Sequence, residues 1–312
     1  MTQPFIRPET TAVLEALAAL EGPHLADLPA PLARAVYHQL GEAFDEEADL
    51  SVRTVDFDGA GVALRGYFPG PAEAGPVIVY MHGGGWVIGD LDTHHALCTL
   101  IARLSGLRVV SVDYRLAPEH PYPAAHDDCL AAARFVAGGP KELGAPVTGI
   151  AVAGDSAGGN LAFHLAATLG DGAVLAQLLI YPLGDSTSPS TGSYKEFDEG
   201  YLLDRKLMDR FIGDYLPGDD LAGLPAVSPL LHPLPASLPP AVILAAGLDP
   251  LRDQGRGLAS RLADQGVEVH FFEAAGLIHG IATMRKALGG GDRIIRRTIA
   301  TFTEVIHAAI TQ

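Results

Sequence analysis

The chain has 312 residues and a formal net charge of −16, with 48% hydrophobic residues and only 19% charged residues. A chain this apolar can build a large buried core, which excludes an intrinsically disordered protein. The acidic charge disfavours binding to nucleic-acid phosphates and to anionic membrane surfaces, so we expect a neutral small molecule as the partner.

The N-terminal residues and the cysteines give no sign of export or membrane insertion. Residues 1–10 lack a basic start followed by an apolar run, and no stretch reaches the ~18 apolar residues of a membrane span. Cys98 and Cys129 fall in helix-like segments, where buried free thiols are expected. We therefore predict a cytoplasmic protein that does not bind a membrane. Its oligomeric state is left open, with a homodimer as one alternative.

The first predicted elements in chain order are two helices and a hairpin. Apolar residues recur at helical spacing over residues 13–20 and 32–40, and these helices are suited to packing on a core or to covering a site. Residues 51–68 contain two short strand-like runs that meet at Asp58-Gly59. This pattern predicts an antiparallel hairpin at the edge of a sheet.

The rest of the chain alternates between short apolar runs and helical patterns. Such alternation is typical of an α/β fold, a mostly parallel sheet with helices on both faces. The predicted strands are Val77–Met81, Leu107–Val112, Ile150–Ala153, Leu175–Tyr181, Ala241–Ala246 and Val267–Phe272. Residues 185–240 interrupt the alternation with a polar, proline-rich segment that holds one helical pattern, Leu203–Tyr215. We predict that this segment is an insertion above the sheet.

A candidate nucleophile lies in the sequence GDSAG at residues 154–158. This GxSxG pattern follows a predicted strand and precedes a helical pattern, the context of a nucleophile elbow that exposes a serine hydroxyl. A Cβ at either Gly154 or Gly158 would clash with neighbouring backbone, which explains the spacing. Ser156 is therefore the predicted nucleophile, although a glycine-rich turn without chemistry has the same short pattern.

A second glycine cluster, HGGGW at residues 82–86, follows the predicted strand Val77–Met81 and precedes a helix predicted from about Leu91. Three consecutive glycines are costly to order, and close approach to a ligand is a physical reason for them. We predict that the backbone N–H groups of Gly83, Gly84 and Ala157 converge on the oxygen of a tetrahedral intermediate. His82 is expected to brace this loop through hydrogen bonds.

Candidates for a triad acid and a triad base follow two later strands. Asp249 and His279 each come after a predicted strand, so both belong to the sheet edge that carries Ser156. In α/β hydrolases the triad runs serine, acid, histidine along the chain. Asp253 is the rival acid, but it falls inside the helix predicted to start at Pro250. An N-cap role is an alternative interpretation of Asp249.

No metal-binding motif is present in the sequence. The 12 histidines include no HExxH pair or other ligand spacing. The chain itself supplies a nucleophile, a base and oxyanion donors. We therefore expect neither a metal nor an organic cofactor.

Together these motifs resemble the hormone-sensitive-lipase-like family of carboxylesterases, which has the α/β-hydrolase fold. The resemblance extends from about residue 77 to residue 282 and includes HGGGW at 82–86, DYRLAPEHP at 113–121, GDSAGG at 154–159, DPLRD at 249–253 and HG at 279–280. It implies Asp249 as the triad acid and a helical cap over the site. The cap is expected from residues 1–50 and 185–240, and the hydrolase core from residues 51–184 and 241–312.

The expected function is hydrolysis of short- to medium-chain acyl esters through an acyl-enzyme. In this scheme His279 accepts the proton of Ser156 while Asp249 orients the imidazole. An amidase or a deacetylase needs the same triad, so both remain alternatives. A non-catalytic ligand receptor is less favoured, because the receptors that resemble this family lack the catalytic histidine and here His279 is present.

Overall fold

One sheet of eight strands organises the chain. The computed structural model describes residues 4–20, 22–170, 172–190, 192–218 and 220–311. The strands are β1 (Arg53–Gly59), β2 (Val62–Phe68), β3 (Gly75–Met81), β4 (Arg108–Asp113), β5 (Val147–Asp155), β6 (Val174–Ile180), β7 (Ala241–Leu248) and β8 (Val269–Ile278). All six strands predicted from apolar runs are present, as β3 to β8.

The sheet is mostly parallel, with the order β1-β2-β4-β3-β5-β6-β7-β8. β2 pairs antiparallel with both of its neighbours, and the other pairs are parallel. The predicted hairpin is β1-β2 and lies at the sheet edge. Its turn falls at Ala60-Gly61 rather than at Asp58-Gly59, because Gly59 still pairs with Val62 and the Gly61 N–H donates to Asp58 Oδ1 at 3.0 Å.

Helices cover both faces of the sheet. They are α1 (Pro8–Ala18), α2 (Ala30–Phe44), α3 (His95–Ser105), α4 (Ala124–Ala137), α5 (Ala157–Leu169), α6 (Ser193–Glu196), α7 (Arg205–Tyr215), α8 (Arg252–Asp264) and α9 (Gly289–Thr311). Helices α3 and α9 bury apolar side chains against one face, and α4, α5 and α8 do so against the other. The predicted α/β architecture is confirmed. Among the described residues, no helix combines the length and apolarity needed to cross a membrane.

Two helices begin later than the sequence pattern predicts. Helix α3 starts at His95 rather than near Leu91, because residues 90–93 form a turn in which Asp90 Oδ1 accepts the Asp92 and Thr93 N–H groups, both at 2.9 Å. Helix α8 starts at Arg252 rather than at Pro250. The turn before it is closed by Asp249.

The segment before β1 and the insertion between β6 and β7 contact each other. The Arg210 guanidinium on α7 donates to the carbonyl oxygens of Ala26 (3.0 Å) and Leu28 (3.4 Å). His24 lies 2.9 Å from Asp204, the N-cap of α7. We propose that these two segments form the cap; the division at residues 50, 184 and 240 remains a prediction. Residues 1–3, 21, 171, 191, 219 and 312, which that division includes, lie outside the described residues.

Candidate active site

Ser156 sits on a sharp turn between β5 and α5. Its φ of +56° lies in a region that residues other than glycine rarely adopt. A Cβ at Gly154 would overlap the carbonyl of Gly158, and a Cβ at Gly158 would overlap that of Met81. The steric reason predicted for the two glycines is therefore confirmed. The tight packing holds the strained turn and leaves the Ser156 side chain at the floor of a cavity.

His279 bridges the other two predicted triad residues. Its Nε2 lies 3.0 Å from Ser156 Oγ, and its Nδ1 lies 2.7 Å from Asp249 Oδ2. Asp249 is fully buried, and its second carboxylate oxygen accepts the Leu251 N–H at 2.8 Å. Asp249 thus contacts the imidazole of His279 and also closes the turn before α8. The alternative N-cap role is wrong, because α8 begins at Arg252 and its N-cap is Leu251.

The rival acid Asp253 lies elsewhere. Its carboxylate accepts the N–H of Ser193 at 2.8 Å and pairs with Arg252 and Arg256, each at 3.0 Å. Burial acts to raise its pKa, but the guanidinium of Arg252 and the backbone N–H of Ser193 outweigh that effect and hold the pKa below the usual value. Asp253 therefore links the inserted segment to α8 and does not contact His279.

The oxyanion-hole prediction needs one correction, at Gly83. The Gly83 N–H donates to Asp155 Oδ1 at 2.8 Å, so this donor is already in use. Gly84, Gly85 and Ala157, in contrast, line the cavity that contains Ser156. Within the described ranges, the N–H groups of these three residues make no backbone hydrogen bond. The backbone N–H groups that remain available as oxyanion donors are therefore those of Gly84, Gly85 and Ala157, rather than those of Gly83, Gly84 and Ala157.

A buried polar cluster contacts the glycine loop, residues 83–85, and the motifs in the sequence do not indicate it. Asp155 Oδ1 accepts the Tyr80 hydroxyl at 2.6 Å and lies 3.2 Å from His94 Nε2, and all three side chains are buried. Burial acts to raise the pKa of Asp155, but His94 and the Tyr80 hydroxyl outweigh that effect and lower it. Asp155 therefore remains a carboxylate and anchors Gly83. Its position next to Ser156 was a signal in the sequence, whereas the approach of His94 depends on tertiary structure.

His82 braces the loop as predicted. Its Nδ1 lies 2.8 Å from Gly83 O, and its ring stacks on Tyr114 with 4.1 Å between centroids. Burial, with a further contribution from His94, lowers the pKa of His82 to about 4. Because the imidazole is neutral, His82 adds no charge beside the glycine loop.

The cavity above Ser156 is lined mostly by apolar side chains. The segment before β1 contributes Leu25 and Leu40, and α7 contributes Leu207, Met208 and Phe211. The lining also includes Trp86, Ile88, Leu183, Leu202, Leu203, Ile212, Leu251 and Met284. Apart from the triad, the polar side chains in the lining are those of Tyr37, Thr93, Asp155 and Thr283. This composition suits an uncharged ligand with apolar groups.

The described residues form no metal-binding cluster, and both cysteines are free. Over the described part of the chain, no group of three or more His, Cys, Asp or Glu side chains is arranged to hold a metal ion. Cys98 and Cys129 are buried free thiols, as predicted.

The sheet topology and the nucleophile elbow define an α/β hydrolase. A family model described as "alpha/beta hydrolase fold" matches residues 78–283. The chain belongs to this family, the hormone-sensitive-lipase-like α/β hydrolases, and it is a hydrolase. The family predicted from the motifs is confirmed.

Known relatives and solved structures match along most of the chain. Carboxylesterase NlhH of Mycobacterium tuberculosis is 39% identical over 272 residues, which are 84% of each chain. An ethyl acetate hydrolase of Pseudomonas putida is 38% identical over 254 residues, or 78% of each chain. The crystal structure of an α/β hydrolase enzyme from the metagenome of Lake Arreo, Spain, has a TM-score of 0.90 at 36% identity, covering 96% of this chain and 98% of that one.

Proposed function

We propose that this hydrolase is a carboxylesterase that cleaves short- to medium-chain acyl esters through an acyl-enzyme on Ser156. The observation that carries the proposal is the pair of contacts made by His279, to Ser156 Oγ at 3.0 Å and to Asp249 at 2.7 Å. Relatives named carboxylesterase and ethyl acetate hydrolase support an ester as the substrate.

In the proposed reaction, His279 Nε2 takes the proton of Ser156 as Oγ attacks the ester carbonyl. Negative charge then develops on the former carbonyl oxygen, and the N–H groups of Gly84, Gly85 and Ala157 donate to it. His279 returns the proton to the alcohol that leaves. Water then attacks the acyl-enzyme by the same route. Every group in the scheme belongs to the chain, so we propose that no metal or organic cofactor takes part.

The predicted chain-length preference follows from the wall of the cavity. Leu207, Met208 and Phe211 of α7 contribute apolar surface to this wall. Each acyl methylene that is buried there stabilises the transition state by about 0.8 kcal/mol until the space is filled. We propose an optimum at roughly four to eight acyl carbons. The cytoplasmic location and the homodimer alternative remain predictions.

A panel of p-nitrophenyl esters from acetate to palmitate tests this proposal. We expect kcat/KM to pass through a maximum and then fall. The variant Met208→Ala should move the maximum to a longer chain, because it removes side-chain volume from the wall. A maximum at palmitate in the unmodified chain would contradict a finite pocket. Faster cleavage of butyryl p-nitroanilide than of the butyrate ester would favour the amidase alternative.

A further inference from the structure

The oxyanion loop, residues 83–86, contains the proposed donors Gly84 and Gly85 and one strained residue, Trp86. Gly84, Gly85 and Trp86 all have positive φ values, +115°, +60° and +61°. For the two glycines this costs little, but Trp86 carries a large side chain in the left-handed region. Such a conformation persists only where the surroundings fix it. The direction of the Gly84 and Gly85 N–H groups therefore depends on what holds Trp86, together with the turn in which Gly84 O accepts the Val87 and Ile88 N–H groups at 3.0 and 2.9 Å.

The Trp86 ring stacks on Tyr215, the last residue of α7. Trp86 is completely buried, and its indole stacks on the Tyr215 ring with 4.5 Å between centroids and 18° between planes. Among the described residues, the indole N–H has no hydrogen-bond partner. Stacking and packing thus orient the side chain. The Trp86 carbonyl also accepts the Ala117 N–H at 2.9 Å, which ties the backbone to the core.

Tyr215 is itself fixed at both ends, so it forms a rigid surface rather than a mobile lid residue. Its hydroxyl lies 2.7 Å from His126 Nδ1 on α4, and its carbonyl accepts the Tyr122 N–H at 2.8 Å. The side chain is fully buried. These contacts anchor the end of α7 to the hydrolase core beneath it.

A second ring on the same face of α7 contacts the neighbouring loop residue. Phe211 lies one turn before Tyr215, and a Cβ added to Gly85 would overlap its ring. Two aromatic rings of α7 therefore press on two consecutive loop residues, Gly85 and Trp86. The helix contributes both a wall of the pocket and a support for the oxyanion donors.

We propose that Tyr215 is a positioning residue for the oxyanion hole: its ring, stacked on Trp86, fixes the Gly84 and Gly85 N–H groups toward the developing oxyanion. The inference rests on the proposed esterase function. It assigns to α7 of the cap a role in the chemical step besides its role in binding the substrate.

The test compares Tyr215→Leu, which removes the flat ring, with Tyr215→Phe, which keeps the ring and loses only the hydroxyl. With p-nitrophenyl butyrate, Tyr215→Leu should lower kcat by about 10- to 100-fold, because misplaced oxyanion donors act in the transition state. KM should change little. Tyr215→Phe should retain most of the rate. If Tyr215→Leu folds poorly, Tyr215→Met replaces it in the test, because methionine fills similar space without a flat ring. Tyr215→Met should then show the same loss of kcat.

A matched control separates positioning from general loss of stability. Phe302→Leu on α9 also truncates a fully buried aromatic ring, but on the opposite face of the sheet. It should lower the melting temperature without lowering kcat. As an independent readout, a trifluoromethyl ketone forms an oxyanion when Ser156 adds to it. Its inhibition constant should rise in Tyr215→Leu by the factor that kcat/KM falls.

The outcomes are distinct. If folded Tyr215→Leu and Tyr215→Met keep their kcat, if the loss is confined to KM, or if Phe302→Leu or Tyr215→Phe is equally impaired, the positioning role is wrong. If Ser156→Ala hydrolyses the ester as fast as the unmodified chain, the proposed function itself fails. The proposed function is supported if activity depends on Ser156. The positioning role is supported as well if, in addition, kcat is lost only in the variants that remove the Tyr215 ring.

Discussion

Two regions of the molecule contribute to the same cavity through different kinds of contact. One is the edge formed by the carboxyl ends of β5, β7 and β8, and the other is the cap. At the edge, His279 contacts Ser156 and Asp249 at 3.0 and 2.7 Å, in largely buried surroundings. The cap contributes mainly apolar side chains. Its two segments are joined partly by exposed ion pairs such as Lys206 with Asp27, whose side chains are 57% and 50% exposed. Ion pairs this exposed stabilise a structure only weakly.

This difference separates residues that set the rate from residues that set the choice of substrate. A small displacement at the edge breaks hydrogen bonds on which the proposed chemistry depends, whereas a changed cap side chain alters the volume available to the proposed acyl substrate. Helix α7 is the exception, because Phe211 and Tyr215 contact the oxyanion loop. We therefore expect the largest loss of function from a substitution at the edge that carries Ser156. A substitution where α7 contacts the loop should have a smaller effect, and one beneath the cap the smallest.

The largest effect is expected at Asp249. Asp249→Asn should lower kcat by about 10³- to 10⁴-fold, because the amide no longer holds the imidazole tautomer that accepts the serine proton. Asp253→Asn is the matched control and should leave kcat nearly unchanged, since its carboxylate contacts Ser193, Arg252 and Arg256 instead. Steady-state kinetics with p-nitrophenyl butyrate compare the two. A greater loss in Asp253→Asn would reverse the assignment of the acid.

An intermediate effect is expected where α7 contacts the loop. Gly85→Ala places a methyl group against the Phe211 ring at a positive φ, so either the ring or the loop must move. We expect kcat to fall by about 10- to 100-fold as the oxyanion donors shift. Gly213→Ala changes the same kind of residue on α7, where nothing lies within 4 Å of the new Cβ.

The two glycine variants should also differ in stability. Gly213→Ala should leave kcat unchanged and raise the free energy of unfolding by about 0.5 to 1 kcal/mol, because alanine favours a helix interior. Gly85→Ala should lower the free energy of unfolding. Denaturant titrations measure both values. Equal kcat in the two variants would show that the contact between Gly85 and Phe211 has no influence on the reaction.

The smallest effect concerns His126, which supports Tyr215 beneath the cap. Burial, with a further contribution from His164, lowers the pKa of His126 from 6.5 to about 3. Between these values the unfolded chain binds the proton and the folded chain does not, so acidification through this range destabilises the fold. His126→Asn should reduce the pH slope of the unfolding free energy by about 1.4 kcal/mol per pH unit between pH 6 and 4. An unchanged slope would contradict a neutral buried His126.

Most of the fold, and the close approach of Ser156, Asp249 and His279, were predictable because they depend on local patterns with direct physical meaning. Short apolar runs identified β3 to β8, and the order serine, acid, histidine selected Asp249 and His279. The glycines around Ser156 were explained by clashes that the folded backbone reproduces. In each case the relevant contacts involve residues close in sequence or on neighbouring strand ends.

The errors occurred where remote side chains compete for a local group. The pattern HGGGW indicates close backbone approach but does not reveal that Asp155, on another strand, takes the Gly83 N–H. Nor does the helical pattern of residues 203–215 show that Tyr215 stacks on Trp86. Two smaller errors, in the hairpin turn and in the start of α3, have a local cause instead. The side chains of Asp58 and Asp90 each accept a backbone N–H three residues later and close a turn that hydrophobic periodicity does not indicate.

The most direct test of the esterase mechanism is to trap the acyl-enzyme. The unmodified chain and Asp249→Asn, in which we expect slow turnover, are mixed with p-nitrophenyl butyrate, quenched in acid, digested and analysed by mass spectrometry. We predict that the peptide containing Ser156 gains the mass of one butyryl group, and that Ser156→Ala gains none and does not turn over. Hydrolysis that continues in Ser156→Ala, or a butyryl group found only on another residue of an active chain, would contradict the mechanism.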